Sequence, residues 1–222
     1  MCAWESPGQF ELLPIAAFAG SLLTTTLLYK IASREGRTSV AIFLLAGLAI
    51  AAIANAGIGG NPVLREEVGP SGLARFDRDA LAVPGVTDIV LLEGINDLGL
   101  SGLDNPRTDG IHDTITADDL IAGYRQMIAR ARGNGVKVIL ATILPYKGAG
   151  YWSEEGEAVR VAVNDWIRTT DEADGMVDLA KAIADLADPA RMAKPYDVGD
   201  ALHPNDAGFA AMAAAFDLRL FR

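Results

Sequence analysis

Short apolar runs alternate with longer segments of helical period along most of this chain. Leu12–Ala19, Ala49–Ala54, Val86–Leu92, Val136–Ile143 and Met176–Leu179 are the runs, and each has the length and composition of a strand buried on both faces. After Thr116, the residues Leu120, Ile121, Tyr124, Met127, Ile128 and Ala131 recur on one helical face. Asp119 sits where a capping box needs its acid, and Gly133-Asn-Gly135 stops the helix. Ser153 opens a second helix with Val159, Val163, Trp166 and Ile167 inward. Residues 180–187 are helical in pattern, and Asn205 caps a last helix through Phe209, Met212, Ala213 and Phe216. Pro70–Leu81 forms a short helix or a loop. Strands alternating with helices predict one α/β domain over residues 1–222, with a parallel sheet covered on both faces.

The first quarter fits this pattern least well. Leu22–Ala32 has helical leucines, but Thr24-Thr25-Thr26 opposes them. Glu35-Gly36-Arg37 is a turn signal. Val40–Ala54 is almost wholly apolar, yet its run of about 15 residues falls short of the roughly 20 that cross a bilayer. Gly47 interrupts it and a turn follows, so a buried helix leading into a strand is expected, with no membrane span. Glu5 and Glu11 stand where a signal peptide has a basic start and an apolar centre. A cytoplasmic location is therefore favoured.

Charge narrows the partners. The net charge is -10 with no run of Lys or Arg, which disfavours nucleic acid and anionic membranes. A single cysteine, Cys2, excludes an intrachain disulfide and any multi-cysteine metal site. Residues 98–115 are rich in Gly, Asp, Asn and Pro and predict a long surface loop, with His112 a surface residue in it.

The candidate chemistry gathers at predicted strand ends, where open parallel sheets bind ligands. Ser21 follows the first run, the Gly57–Asn61 loop the second, and Asn96 the third. Asp200-Ala-Leu-His203-Pro204-Asn205 places an imidazole three residues after a carboxylate, at the mouth of a helix. Pro204 biases His203 towards an extended backbone. Ser21 as nucleophile, His203 as base and Asp200 as its orienting acid make one coherent set. Gly60 N–H, the Asn96 amide and Ser21 N–H make a matching set of oxyanion donors. Each piece also has a plainer role: turn glycines, a left-handed Asn96, a helix-capping Ser21. Glu93 and Asp97 flank Asn96 and are assigned no catalytic part.

Asn55-Ala-Gly57-Ile-Gly59-Gly60-Asn61, Glu93-Gly94-Ile95-Asn96-Asp97 and Asp200-Ala-Leu-His203-Pro-Asn-Asp-Ala-Gly208 resemble blocks II, III and V of the SGNH (GDSL-type) hydrolases. The stretch Thr116–Tyr124 is similar to the bacterial esterase branch of that family, and the resemblance covers residues 49–222. It implies a flavodoxin-like three-layer α/β/α sandwich, with Gly60 and Asn96 as oxyanion donors and His203 and Asp200 as base and acid. It implies a serine esterase acting on a small-molecule ester of short acyl chain, with no metal or organic cofactor. Tyr146, Tyr151 and Trp152 follow a strand end, where they either line a substrate pocket or pack their loop. Block I departs from the family: Ala19-Gly20-Ser21-Leu22 stands where Gly-Asp-Ser is usual. Natural divergence or a shifted reading frame over residues 22–48 accounts for this. An alternative function follows, a catalytically impaired relative that binds esters or carbohydrates.

Overall fold

A computed structural model describes residues 33–34, 37–38, 55–105 and 110–221. The chain divides into two compact units, Met1–Asn55 and Ala56–Arg222. In the first, β1 (Ser33–Arg34) pairs antiparallel with β2 (Arg37–Thr38). Ser21, the strands expected at Leu12–Ala19 and Ala49–Ala54, and the segments Leu22–Ala32 and Val40–Ala54 lie outside the described residues.

The second unit opens with α1 (Gly72–Phe76), which widens into a π-helical turn at Asp77–Leu81. There follow β3 (Asp88–Leu91), α2 (Ile95–Leu100) and a hairpin of β4 (Asp104–Asn105) with β5 (Gly110–Ile111). Next come α3 (Ala117–Gly133), β6 (Lys137–Ala141) and α4 (Glu154–Thr169). The chain ends through β7 (Gly175–Val177), α5 (Leu179–Ile183) and α6 (Asp206–Ala214).

Strands β3, β6 and β7 form a parallel sheet in that order, with Ile89 opposite Val138 and Leu140 opposite Met176. The central strand β6 divides the core. Its Val138 and Leu140 pack with Leu120, Tyr124, Met127, Val163 and Ile167 of α3 and α4. Its Ile139 and Ala141 pack with Leu179, Ile183 and Met212 of α5 and α6. Strand side chains alternate between faces, so one strand serves two cores. The result is the α/β/α sandwich that the sequence pattern predicts. Burying each large aliphatic side chain here contributes about 1.5–3 kcal/mol.

Local signals explain why the elements start where they do. Thr116 Oγ1 accepts from Asp119 N at 3.2 Å, and Asp119 Oδ2 accepts from Thr116 N at 2.9 Å. This capping box secures α3, and all six residues of its predicted face are buried. Strand β7 ends earlier than the apolar run suggests, because Asp178 turns to cap α5 by accepting from Lys181 N at 3.1 Å.

Three expectations fail, the first being the helix over residues 180–187, since α5 ends at Ile183 where Ala184 turns to an extended backbone. Residues 98–115 are not surface loop throughout: Leu98 is buried within α2, and His112 is buried with its Nε2 3.6 Å from Glu67. Composition shows polarity but not which polar residues fold inward. The inward face of α6 is Gly208 and Met212, while Phe209 and Ala213 are exposed. Alanine occupies every side of this helix, so its apolar period has no direction. Gly208 sets the face instead, since a Cβ there would lie 2.7 Å from the Tyr196 carbonyl oxygen. No helix among the described residues is long and apolar enough to cross a membrane.

Candidate active site

The loop after Asn55 and the turn after β3 meet through hydrogen bonds. Gly60 has φ +76°, in the left-handed region where glycine is unstrained. Asn61 N donates to Ile58 O at 3.1 Å and closes that turn. The Asn61 side chain is buried: Oδ1 accepts from Gly69 N at 3.1 Å, and Nδ2 donates to Pro70 O at 2.7 Å. At the other loop, Gly94 has φ +102°, and a Cβ there would come within 2.8 Å of the Tyr124 hydroxyl. This glycine reverses the chain so that Asn96 falls in the first turn of α2. Asn96 Nδ2 donates to the Asn61 carbonyl at 3.3 Å. An amide nitrogen carries two donor hydrogens, so one remains for a ligand.

Asp97 fixes this junction. It has no exposed surface, and its carboxylate accepts from Val63 N at 2.7 Å and Leu64 N at 3.0 Å. Arg65 Nη2 donates to the Asp97 carbonyl at 3.1 Å. Burial raises the Asp97 pKa, against the pull of the two backbone donors. The sequence assigned no role to Asp97 or to the Asn61 side chain. Their place in the two motifs was visible, but the long-range bond between the motifs was not.

The carboxylate and imidazole of the C-terminal loop are brought together directly. Asp200 Oδ1 accepts from Leu202 N at 2.9 Å and His203 N at 2.8 Å, an aspartate-centred turn. Asp200 Oδ2 lies 2.6 Å from His203 Nδ1. These contacts, led by the His203 backbone bond, lower the Asp200 pKa to about 2, so it is ionised at neutral pH. An ionised carboxylate only accepts, so Nδ1 carries the hydrogen and a neutral ring has its lone pair on Nε2. Ala201 takes φ +59° to make the turn, and Asp197 Oδ1 accepts from Gly199 N at 2.7 Å beneath it. Asn205 caps α6 by accepting from Gly208 N at 3.0 Å. His203 is exposed, with 68% of its side-chain surface in solvent.

The loop after β6 lies between these two regions. Tyr151 covers Gly99 of α2 so closely that a Cβ at 99 would sit 1.7 Å from its ring. Burial, reinforced by the negative charge of Asp200, pushes the Tyr151 hydroxyl up to about 12. A Cβ on Gly148 would lie 3.2 Å from Ala201 Cβ. Tyr146 is fully buried, and its ring centroid is 6.1 Å from that of Tyr151. Trp152 is half-buried, with Lys147 Nζ 5.9 Å above its ring. Asn96 is thus tied to the loop that carries Gly60 and His203 is tied to Asp200, while Ser21 lies outside the described residues.

A separate cleft of about 540 Å³ opens between α4 and α5 and borders none of these residues. Its two arginines are already paired, Arg160 with Glu157 and Arg168 with Asp165 and Asp178. Among the described residues no cluster of three or more His, Cys, Asp or Glu could hold a metal ion.

Residues 31–211 match the model of the GDSL-like lipase/acylhydrolase family. The chain belongs to that family. Membership makes it a hydrolase whose broad chemistry is ester hydrolysis; the matched span begins after Ser21. Among solved structures, it is similar to Axe2, an acetylxylan esterase from Geobacillus stearothermophilus, at 22% identity over 84% of this chain and 82% of that one, TM-score 0.53. It is also similar to a GDSL-like lipase from Bacteroides thetaiotaomicron VPI-5482, at 22% identity over 69% and 73%, TM-score 0.52. At these identities the likeness is one of fold. Comparison with curated protein sequences gives no match.

Proposed function

We propose that this GDSL-family protein is a serine esterase that hydrolyses short-chain carboxylic esters, among them acetyl and aryl esters and acetylated carbohydrates. The contact between Asp200 Oδ2 and His203 Nδ1 at 2.6 Å carries the proposal, because it directs the free Nε2 of an exposed imidazole outward. In the proposed reaction His203 Nε2 takes the proton of the Ser21 hydroxyl as Ser21 Oγ attacks the ester carbonyl carbon. Gly60 N–H, the free Asn96 hydrogen and Ser21 N–H donate to the oxyanion. The C–O bond to the alcohol breaks, and the alcohol leaves with the proton held by His203. Water then attacks the acyl-serine with His203 as base, releasing the carboxylic acid and restoring the serine. Asp200 stabilises the imidazolium in both halves. The fold shared with Axe2, an acetylxylan esterase, supports acetyl esters as first probes.

A fluorophosphonate probe followed by peptide mass spectrometry tests the nucleophile, alongside turnover of p-nitrophenyl acetate. Label on Ser21, lost with turnover in Ser21→Ala, is the expected result. Label on another serine removes Ser21 from the mechanism. A second reading draws on the block I sequence Ala19-Gly20-Ser21, which lacks the usual aspartate: a binding module without turnover. Absence of both label and turnover, with retained binding of an acetylated xylo-oligosaccharide, favours that module.

A further inference from the structure

Arg75, on α1, reaches the base of both loops that carry the oxyanion donors. It is buried at 5% exposure. Its Nη1 donates to the Ala56 carbonyl and lies 3.5 Å from Asp79, while its Nη2 is 3.6 Å from Glu93 Oε1. Ala56 opens the loop that ends in Gly60, and Glu93 opens the turn that presents Asn96. The Glu93 backbone is pinned in turn, its carbonyl accepting from the Tyr124 hydroxyl at 2.8 Å. One guanidinium therefore spans the two loops at their roots, as Asp97 spans them further along. Replacing a buried ion pair by apolar side chains of the same volume is often neutral or stabilising, so such a pair is weak evidence of a stabilising role. Fixed geometry gives it another use, because oxyanion donors work only when held at hydrogen-bonding distance from where the charge develops.

We propose that Arg75 and Glu93 are positioning residues that set the separation between Gly60 N–H and the Asn96 amide. This rests on the esterase assignment above, in which those two groups are the oxyanion donors. Neither residue touches the substrate. Arg75 holds the Ala56 end, Glu93 holds Arg75, and a shift of either moves one donor relative to the other.

The test compares the full-length protein with Glu93→Gln, Arg75→Lys and the double variant. Glu93→Gln keeps the side-chain shape, and Arg75→Lys keeps the charge; melting curves establish that each is folded. Kinetics with p-nitrophenyl acetate are paired with inhibition by phenylboronic acid, whose tetrahedral serine adduct places an oxygen at the oxyanion position. Each single variant is expected to lose about 10- to 100-fold in kcat with KM changed less than about twofold. Boronate affinity falls by a similar factor, and the double variant is no worse than the weaker single, as expected of two groups acting as one device. Wild-type kcat and boronate affinity in a folded Glu93→Gln protein overturn the proposal, as does an effect confined to KM. A wild-type protein that turns over no ester removes the esterase assignment, and this proposal with it.

Discussion

Asp97 is joined to Val63 and Leu64 across 34 and 33 residues of sequence and is fully buried, whereas Asp200 finds Leu202 and His203 within three residues and stands half in solvent. Both are aspartates holding backbone N–H groups. The first depends on the fold being closed, since its partners arrive from a distant loop. The second depends on a turn that its own neighbours build. A candidate oxyanion region made the first way is coupled to stability, and a candidate base made the second way is largely uncoupled from it. Catalytic loss and loss of fold should therefore separate between the two regions.

Substituting His203 by alanine is the sharpest way to break that contrast. Turnover of p-nitrophenyl acetate should fall by roughly three orders of magnitude or more, with the melting temperature almost unmoved because the ring is mostly exposed. A large drop in melting temperature would show that the C-terminal loop is not independent after all.

Asp97→Ala should act in the opposite sense. It leaves the Val63 and Leu64 N–H groups without an acceptor, and each such group costs about 1–3 kcal/mol, so urea unfolding should show a loss of about 2–6 kcal/mol. A variant that stays as stable as the parent would mean that water or another group replaces the carboxylate.

Glu93 sharpens the comparison through pH. Burial pushes it up to about 7 from 4.5, with Arg75 opposing and Asp97 reinforcing the shift, and Tyr124 bonded to its backbone. Its protonated form is favoured by folding, so its contribution to stability is complete below 4.5 and is lost as pH rises through about 7. Glu93→Gln should therefore gain stability relative to the parent between those values and hold a constant difference above them. Denaturant midpoints at a series of pH values check this, and a pH-independent difference would contradict it. The smallest effect is expected at Asn205→Ala, where loss of the α6 cap should cost about 1 kcal/mol in urea unfolding.

The sequence made legible what neighbours in the chain decide. Thr116 with Asp119, Asn205 with Gly208 and Asp200 with His203 all interact within three residues, and all three pairs are where their spacing placed them. The alternation of apolar runs and helical segments likewise announced the sandwich. Contacts between distant segments were not legible. Nothing in the local sequence of Glu93 points to Arg75, nothing at Asp97 points to Val63, and nothing around His112 distinguishes it from a solvated loop residue. The α6 face failed for another reason, since a helix apolar on every side leaves the choice to Gly208 and its close approach to Tyr196.

The seat of Tyr151 on Gly99 limits how this protein can be re-engineered. The 146–152 segment cannot be exchanged alone for that of a relative with a bulkier residue at position 99, because the incoming ring would have no floor. Any graft meant to change the choice of ester has to carry both segments as one cassette, taking the helix that begins at Ile95 along with the loop.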